Sequence, residues 1–125
     1  MKIINMSESA EAAAAALLKN GGVVICPTDT VYGFLADAQN KKAVERIYKI
    51  KKRPKSKPLS VFVLNLKMAR ELAEINDNQA KIMKEFWPGD YTFILKRKKI
   101  YSTINIATVK KMVLYGVNKE TIALR

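Results

Sequence analysis

No histidine occurs among these 125 residues, and cysteine occurs once, at Cys26. Without imidazole, His-dependent triads are excluded and a zinc site loses its commonest ligand, so no metal ligands are assigned. A single thiol cannot close an internal disulfide, and we expect it reduced, in a cytoplasmic protein. Cys26 sits in the apolar run VVIC, so it reads as a small core residue rather than a nucleophile. Long apolar stretches are missing as well: nothing approaches the length of a membrane span. The first twenty residues are alanine-rich, unlike a charged-then-apolar leader. Glycine-rich phosphate cradles are absent, since neither GxxxxGKS/T nor GxGxxG occurs. A nucleotide would have to be held by side chains and other backbone amides. Paired carboxylates are lacking too. Asp29 stands alone in its loop, and no catalytic acid or base is assigned.

What the chain does have is positive charge. Its 23 Lys+Arg face 11 Asp+Glu, a net charge of +12 and a pI near 9.9. Such an excess favours anionic partners, whether nucleotide phosphates, nucleic acid or an acidic surface; the plainer alternative is a solvated lysine coat. The length suits one domain or part of one, and 49% hydrophobic residues suffice for a core.

Strand and helix signals alternate. Residues 2–6 read as a short strand, and Ser7 or Ser9 caps an alanine-rich helix that Gly21-Gly22 stops. Residues 23–26 read as a buried strand ended by Pro27, and 34–38 as another extended piece. Asn40 caps the helix KKAVERIYKIKK, whose apolar positions Val44, Ile47, Tyr48 and Ile50 fall near helical spacing beside a cationic face. Residues 59–64 form a strand signal, and Asn65 starts a helix to about residue 75. A further helix covers 78–87, and strands are expected over 91–95 and 121–124. Between 100 and 115 helix and irregular structure remain equal alternatives. The alternation argues for an α/β sheet covered by helices. Tyr32, Phe34, Phe62, Trp87 and Tyr91 lie in or beside apolar stretches, so most of them are expected in the core, as are Met83 and Phe86.

Two stretches carry chemistry. Nine of the seventeen residues 41–57 are Lys or Arg, opposed only by Glu45, and the densest part, KIKKRPKSKP, is framed by prolines. Polyphosphate needs converging cations, and arginine adds a planar fork that grips two oxygens. The other stretch is VVICPTDTVYG, where a β-branched strand runs into a loop of hydroxyls and a carboxylate. Those groups either serve a ligand or satisfy their own backbone in an Asx-type turn.

Taken in order, PTDTVYG after VVIC, the K-x-R of Lys51-Lys52-Arg53 with PKSKPLSVFV, FWPGDYTFIL and the T-x-x-x-R of ETIALR resemble the YrdC-like family. The resemblance runs from about residue 21 to 125. It implies an open twisted mixed β-sheet with helices packed on it, around a concave, positively charged cavity. Residues 1–125 would be the N-terminal two-thirds of a single such domain, C-terminally truncated before the family's S-x-N motif. The implied activity is threonylcarbamoyl-AMP synthesis, in which L-threonine, bicarbonate and ATP give threonylcarbamoyl-AMP and pyrophosphate. A threonylcarbamoyl-transfer complex then acts downstream on adenosine 37 of tRNA. By the same resemblance, Thr30 and Arg125 contact threonine, while Lys51, Arg53, Lys57 and Thr121 contact ATP, which brings Mg2+ with its phosphates. Binding of double-stranded RNA is also implied, and a homodimer would be one way to cover a sheet edge left open. The chain departs from the family pattern at Leu35, where a second glycine is usual, at Phe62, where a histidine often stands, and at Lys57, often asparagine. PGDYTFIL leans toward the YciO-like branch, for which a non-catalytic nucleotide- or RNA-binding module is the alternative.

Overall fold

A computed structural model of the chain describes residues 1–98 and 113–125. They divide into two compact units, Met1–Pro54 and Lys55–Arg125.

In the first unit, helix α1 (Glu8–Lys19) starts where the Ser7 hydroxyl accepts the Ala10 amide at 3.2 Å. Ser7 is therefore the cap, and Ser9 hydrogen-bonds to it at 2.9 Å. The helix ends on Gly21 at φ 77°, with the Gly21 amide on Leu18 O and the Gly22 amide on Leu17 O, both 2.9 Å. Two of the carbonyls that a helix end orphans are thereby satisfied. A Cβ on Gly21 would lie 2.5 Å from Asn40 Nδ2, so only glycine lets the next helix cap approach. Strands β1 (Val23–Pro27) and β2 (Tyr32–Ala36) pair antiparallel, from Val23 opposite Ala36 to Pro27 opposite Tyr32. Helix α2 (Lys41–Ile50) is capped by Asn40 and buries Ala43, Val44, Ile47 and Tyr48. Ile50, counted on that face by spacing, is 48% exposed instead. Residues 2–6, expected as a strand, pair with no other described residues in a ladder.

The second unit holds α3 (Leu66–Leu72), α4 (Asp77–Phe86), β3 (Phe93–Lys96) and β4 (Thr121–Leu124). Strands β3 and β4 pair antiparallel, with Phe93 opposite Leu124 and Lys96 opposite Thr121. On its other edge β4 meets the expected strand 59–64, which contributes one parallel bridge, Val61 to Leu124. Around it the Val61 amide donates to Ala123 O (2.8 Å), Arg125 to Val61 O (3.0 Å) and Val63 to Arg125 O (3.0 Å). The pairing is thus mixed, as expected, with β4 in the middle. Among the described residues, ladders occur as two two-stranded sheets, one in each unit. The core beneath β4 comprises Ala69, Leu72, Ala73, Ala80, Met83, Leu95, Leu114, Ile122 and Leu124. The undecided stretch 100–115 falls outside the described residues up to 112.

Candidate active site

The loop after β1 is tighter than the sequence suggests. Tyr32 and Gly33 belong to β2, so residues 28–31 alone close the hairpin. Thr28 organises the turn. Its amide and its hydroxyl both donate to Val31 O, at 3.2 and 2.6 Å, and Oγ1 accepts the Thr30 amide at 3.3 Å. The threonine before Asp29 therefore plays the self-satisfying role foreseen as one alternative for this loop. With its one proton on Val31, Thr28 leaves Thr30 as the donor in their 3.4 Å hydroxyl contact. Asp29, Thr30, Val31 and Tyr32 are all exposed at the tip. For Tyr32 this corrects the core expectation: it is 73% exposed, because the tight turn puts it on the last rung of the ladder. Phe62 (45%) and Tyr91 (52%) are also exposed, and Phe86, 39% exposed, packs its ring 4.5 Å from that of Tyr91. Met83 is buried as expected.

The K-x-R stretch is shaped by the end of α2. Lys51 is the C-cap, the Lys52 amide donates to Lys49 O at 3.2 Å and the Arg53 amide to Tyr48 O at 3.0 Å. That pair of bonds normally closes over a glycine, but here the left-handed position is Lys52, at φ 48°. No glycine marks the turn, so by residue type the helix runs on through it. A side chain in this region costs about 1 kcal/mol or more. Lys52→Gly is therefore expected to stabilise the chain by about 0.5–1 kcal/mol, read as a raised thermal midpoint; a lowered midpoint would refute the left-handed turn. On the near side of the turn, Lys51 Nζ lies 6.0 Å from the centroid of the Phe34 ring on β2, within cation–π reach. The cationic turn and the hydroxyl tip thus belong to the same unit, and Lys51 touches the very hairpin that Thr30 closes.

In the second unit, strand alternation sorts the remaining residues. Ile122 and Leu124 face the core, so Thr121, Ala123 and Arg125 face the other way. The bridge of Val61 to Leu124 puts Phe62 on that same open face, and its ring lies 6.0 Å from the Arg125 guanidinium carbon. Thr121 and Arg125 are therefore brought onto one face, beside the position where the family often has histidine. Lys57 is exposed, in the turn before Pro58. Among the described residues no three of Cys, Asp and Glu gather as metal ligands.

Comparison with known proteins now decides the family. The Sua5/YciO/YrdC family, described as telomere recombination, matches residues 16–123. The chain belongs to that family. It is 46% identical over 88 residues to a Bacillus subtilis protein named threonylcarbamoyl-AMP synthase, covering 70% of this chain and 25% of that one. The crystal structure of P. abyssi Sua5 complexed with L-threonine superposes with a TM-score of 0.76 at 31% identity, over 98% of this chain and 33% of that one. Escherichia coli YciO superposes with a TM-score of 0.74 at 26% identity, over 97% of this chain and 54% of that one. The chain spans from a quarter to about half the length of the curated relatives it matches. The α/β class expected from the sequence holds in both the fold and these neighbours. No helix among the described residues is long and apolar enough to cross a membrane.

Proposed function

We propose that this Sua5/YciO/YrdC chain serves threonylcarbamoyl-AMP synthesis, a nucleotidyl transfer that uses L-threonine, bicarbonate and ATP. The observation that supports it most is the 46% identity to the B. subtilis synthase, joined to a cationic turn and a hydroxyl tip within one unit. The threonine amine and bicarbonate condense to a carbamate with loss of water. A carbamate oxygen attacks the α-phosphorus, the bond to the bridging oxygen of the β-phosphate breaks, and pyrophosphate leaves. Negative charge grows on phosphate oxygens, so fixed cations matter more than a histidine base. In this reading Lys51, Arg53, Lys57 and Thr121 hold ATP with its Mg2+, and Thr30 and Arg125 hold threonine. The product would pass in the cytoplasm to a transfer complex acting on tRNA. A dimer and contact with double-stranded RNA belong to the same proposal.

Similarity to YciO supports a second reading, a nucleotide- or RNA-binding module without turnover. Pyrophosphate release from ATP that requires both threonine and bicarbonate is expected under the first. Absence of release, with salt-sensitive RNA binding retained, would decide for the second. Within the first reading, Thr30→Val keeps shape and removes the hydroxyl. Threonine affinity should fall about fivefold or more while ATP affinity changes little, both read by calorimetry. Equal loss of both would mean that the tip has misfolded.

A further inference from the structure

The tip of the β1–β2 hairpin exposes more apolar surface than a solvated turn needs. Tyr32 is 73% exposed and Val31 71%, and Ile25, two rungs in on β1, is 46% exposed. Tyr32 and Phe34 are two apart on β2, so their rings project from one face of the hairpin. They are about 7 Å apart along the strand. Lys51 Nζ sits over the Phe34 ring, which puts an ammonium on the same face, two rungs in from the exposed phenol ring. Lys51 opens the turn that continues into Arg53, within the stretch where nine of seventeen residues are cationic. An exposed aromatic ring with a cation two rungs away on the same face suits a nucleoside phosphate: the base stacks on the ring and the phosphate reaches the ammonium.

We propose that Tyr32 is a nucleobase-stacking residue, forming with Lys51 a platform for a nucleoside phosphate, either free or within a single strand. The platform shares Lys51 with the function proposed above, but the stacking ring is independent of it. Stacking is selective for an aromatic base and indifferent to phosphate alone, and this separates it from charge.

The 125-residue chain is titrated with ATP, with a short single-stranded oligoadenylate and with inorganic tripolyphosphate. Tyr32→Ala should weaken binding of a base-bearing probe about five- to a hundredfold, and Tyr32→Phe should restore it. Tripolyphosphate affinity should be untouched by either change and lowered by Lys51→Ala. A loss confined to ATP assigns the platform to a free nucleotide; a loss on the oligoadenylate assigns it to a strand. Unchanged affinity of Tyr32→Ala for both base-bearing probes overturns the proposal, as does an equal loss with tripolyphosphate or a wild type that binds neither. If Arg53→Ala loses ATP while Tyr32→Ala loses neither base-bearing probe, the platform falls and the synthase reading stands. If strand binding depends on Tyr32 but no pyrophosphate is released, the synthase reading falls and the platform stands.

Discussion

Arg53→Ala is expected to weaken ATP binding about ten- to a hundredfold, the loss of a charge-assisted contact of roughly 1.5–3 kcal/mol. The position is fixed by its backbone, through the amide bond to Tyr48 O at 3.0 Å and by Pro54 immediately after, and neither depends on the side chain. The residue is half-buried at the end of α2, so its guanidinium is less screened than those of the exposed lysines around it. Arg53→Lys keeps the charge without the planar fork and should fall between alanine and wild type. Threonine affinity, assigned to Thr30 and Arg125, should hardly move. Calorimetric titration with ATP and with threonine reads both. Wild-type ATP affinity in the alanine variant would remove the K-x-R turn from the nucleotide site.

Local chemistry makes much of both units legible. Asn40 and Asn65 were readable as caps because each is a short side chain in front of an apolar-periodic run, and each accepts the amide three residues on. Asn76 was not, because three capping residues stand in a row at 76–78. The choice is made by a reciprocal bond, Gln79 Oε1 accepting the Asn76 amide at 2.9 Å, which a start at residue 78 leaves out. Helix α3 was read too long for a different reason. Ala73 and Glu74 favour helix, yet Ala73 bridges Arg97 and the Glu74 amide donates to Lys96 O at 2.9 Å. A distant strand thus overrides propensity. Within the candidate site the motifs single out the threonines and cations as candidates, while the left-handed Lys52 and the exposure of Tyr32 are hidden in the sequence. Both depend on where a turn ends, the feature least visible in residue types. That Thr121 and Arg125 share a face was implicit in their spacing of four along one strand; which face is open became clear only from the burial of Ile122 and Leu124.

Leu124→Ala should cost about 3–5 kcal/mol of stability, the range for a buried leucine whose cavity cannot collapse. Leu124 is 0% exposed, opposite Phe93 on β3 and bridged to Val61 on the other edge. Backbone pairing on both sides holds the strand in place, so the surroundings cannot close over the void. Against the usual 5–15 kcal/mol of a folded domain this is a large share. The urea midpoint should fall steeply, with the slope of the transition unchanged. Thr121→Val, three residues earlier on the opposite, exposed face, should leave stability within about 0.5 kcal/mol of wild type, with the midpoint hardly moved, while lowering ATP affinity. The pair separates the two faces of β4, one that holds the unit together and one that presents Thr121 and Arg125. Should Leu124→Ala unfold at the wild-type midpoint, β4 would not be the central strand in solution, and the common face of Thr121 and Arg125 would lose its basis.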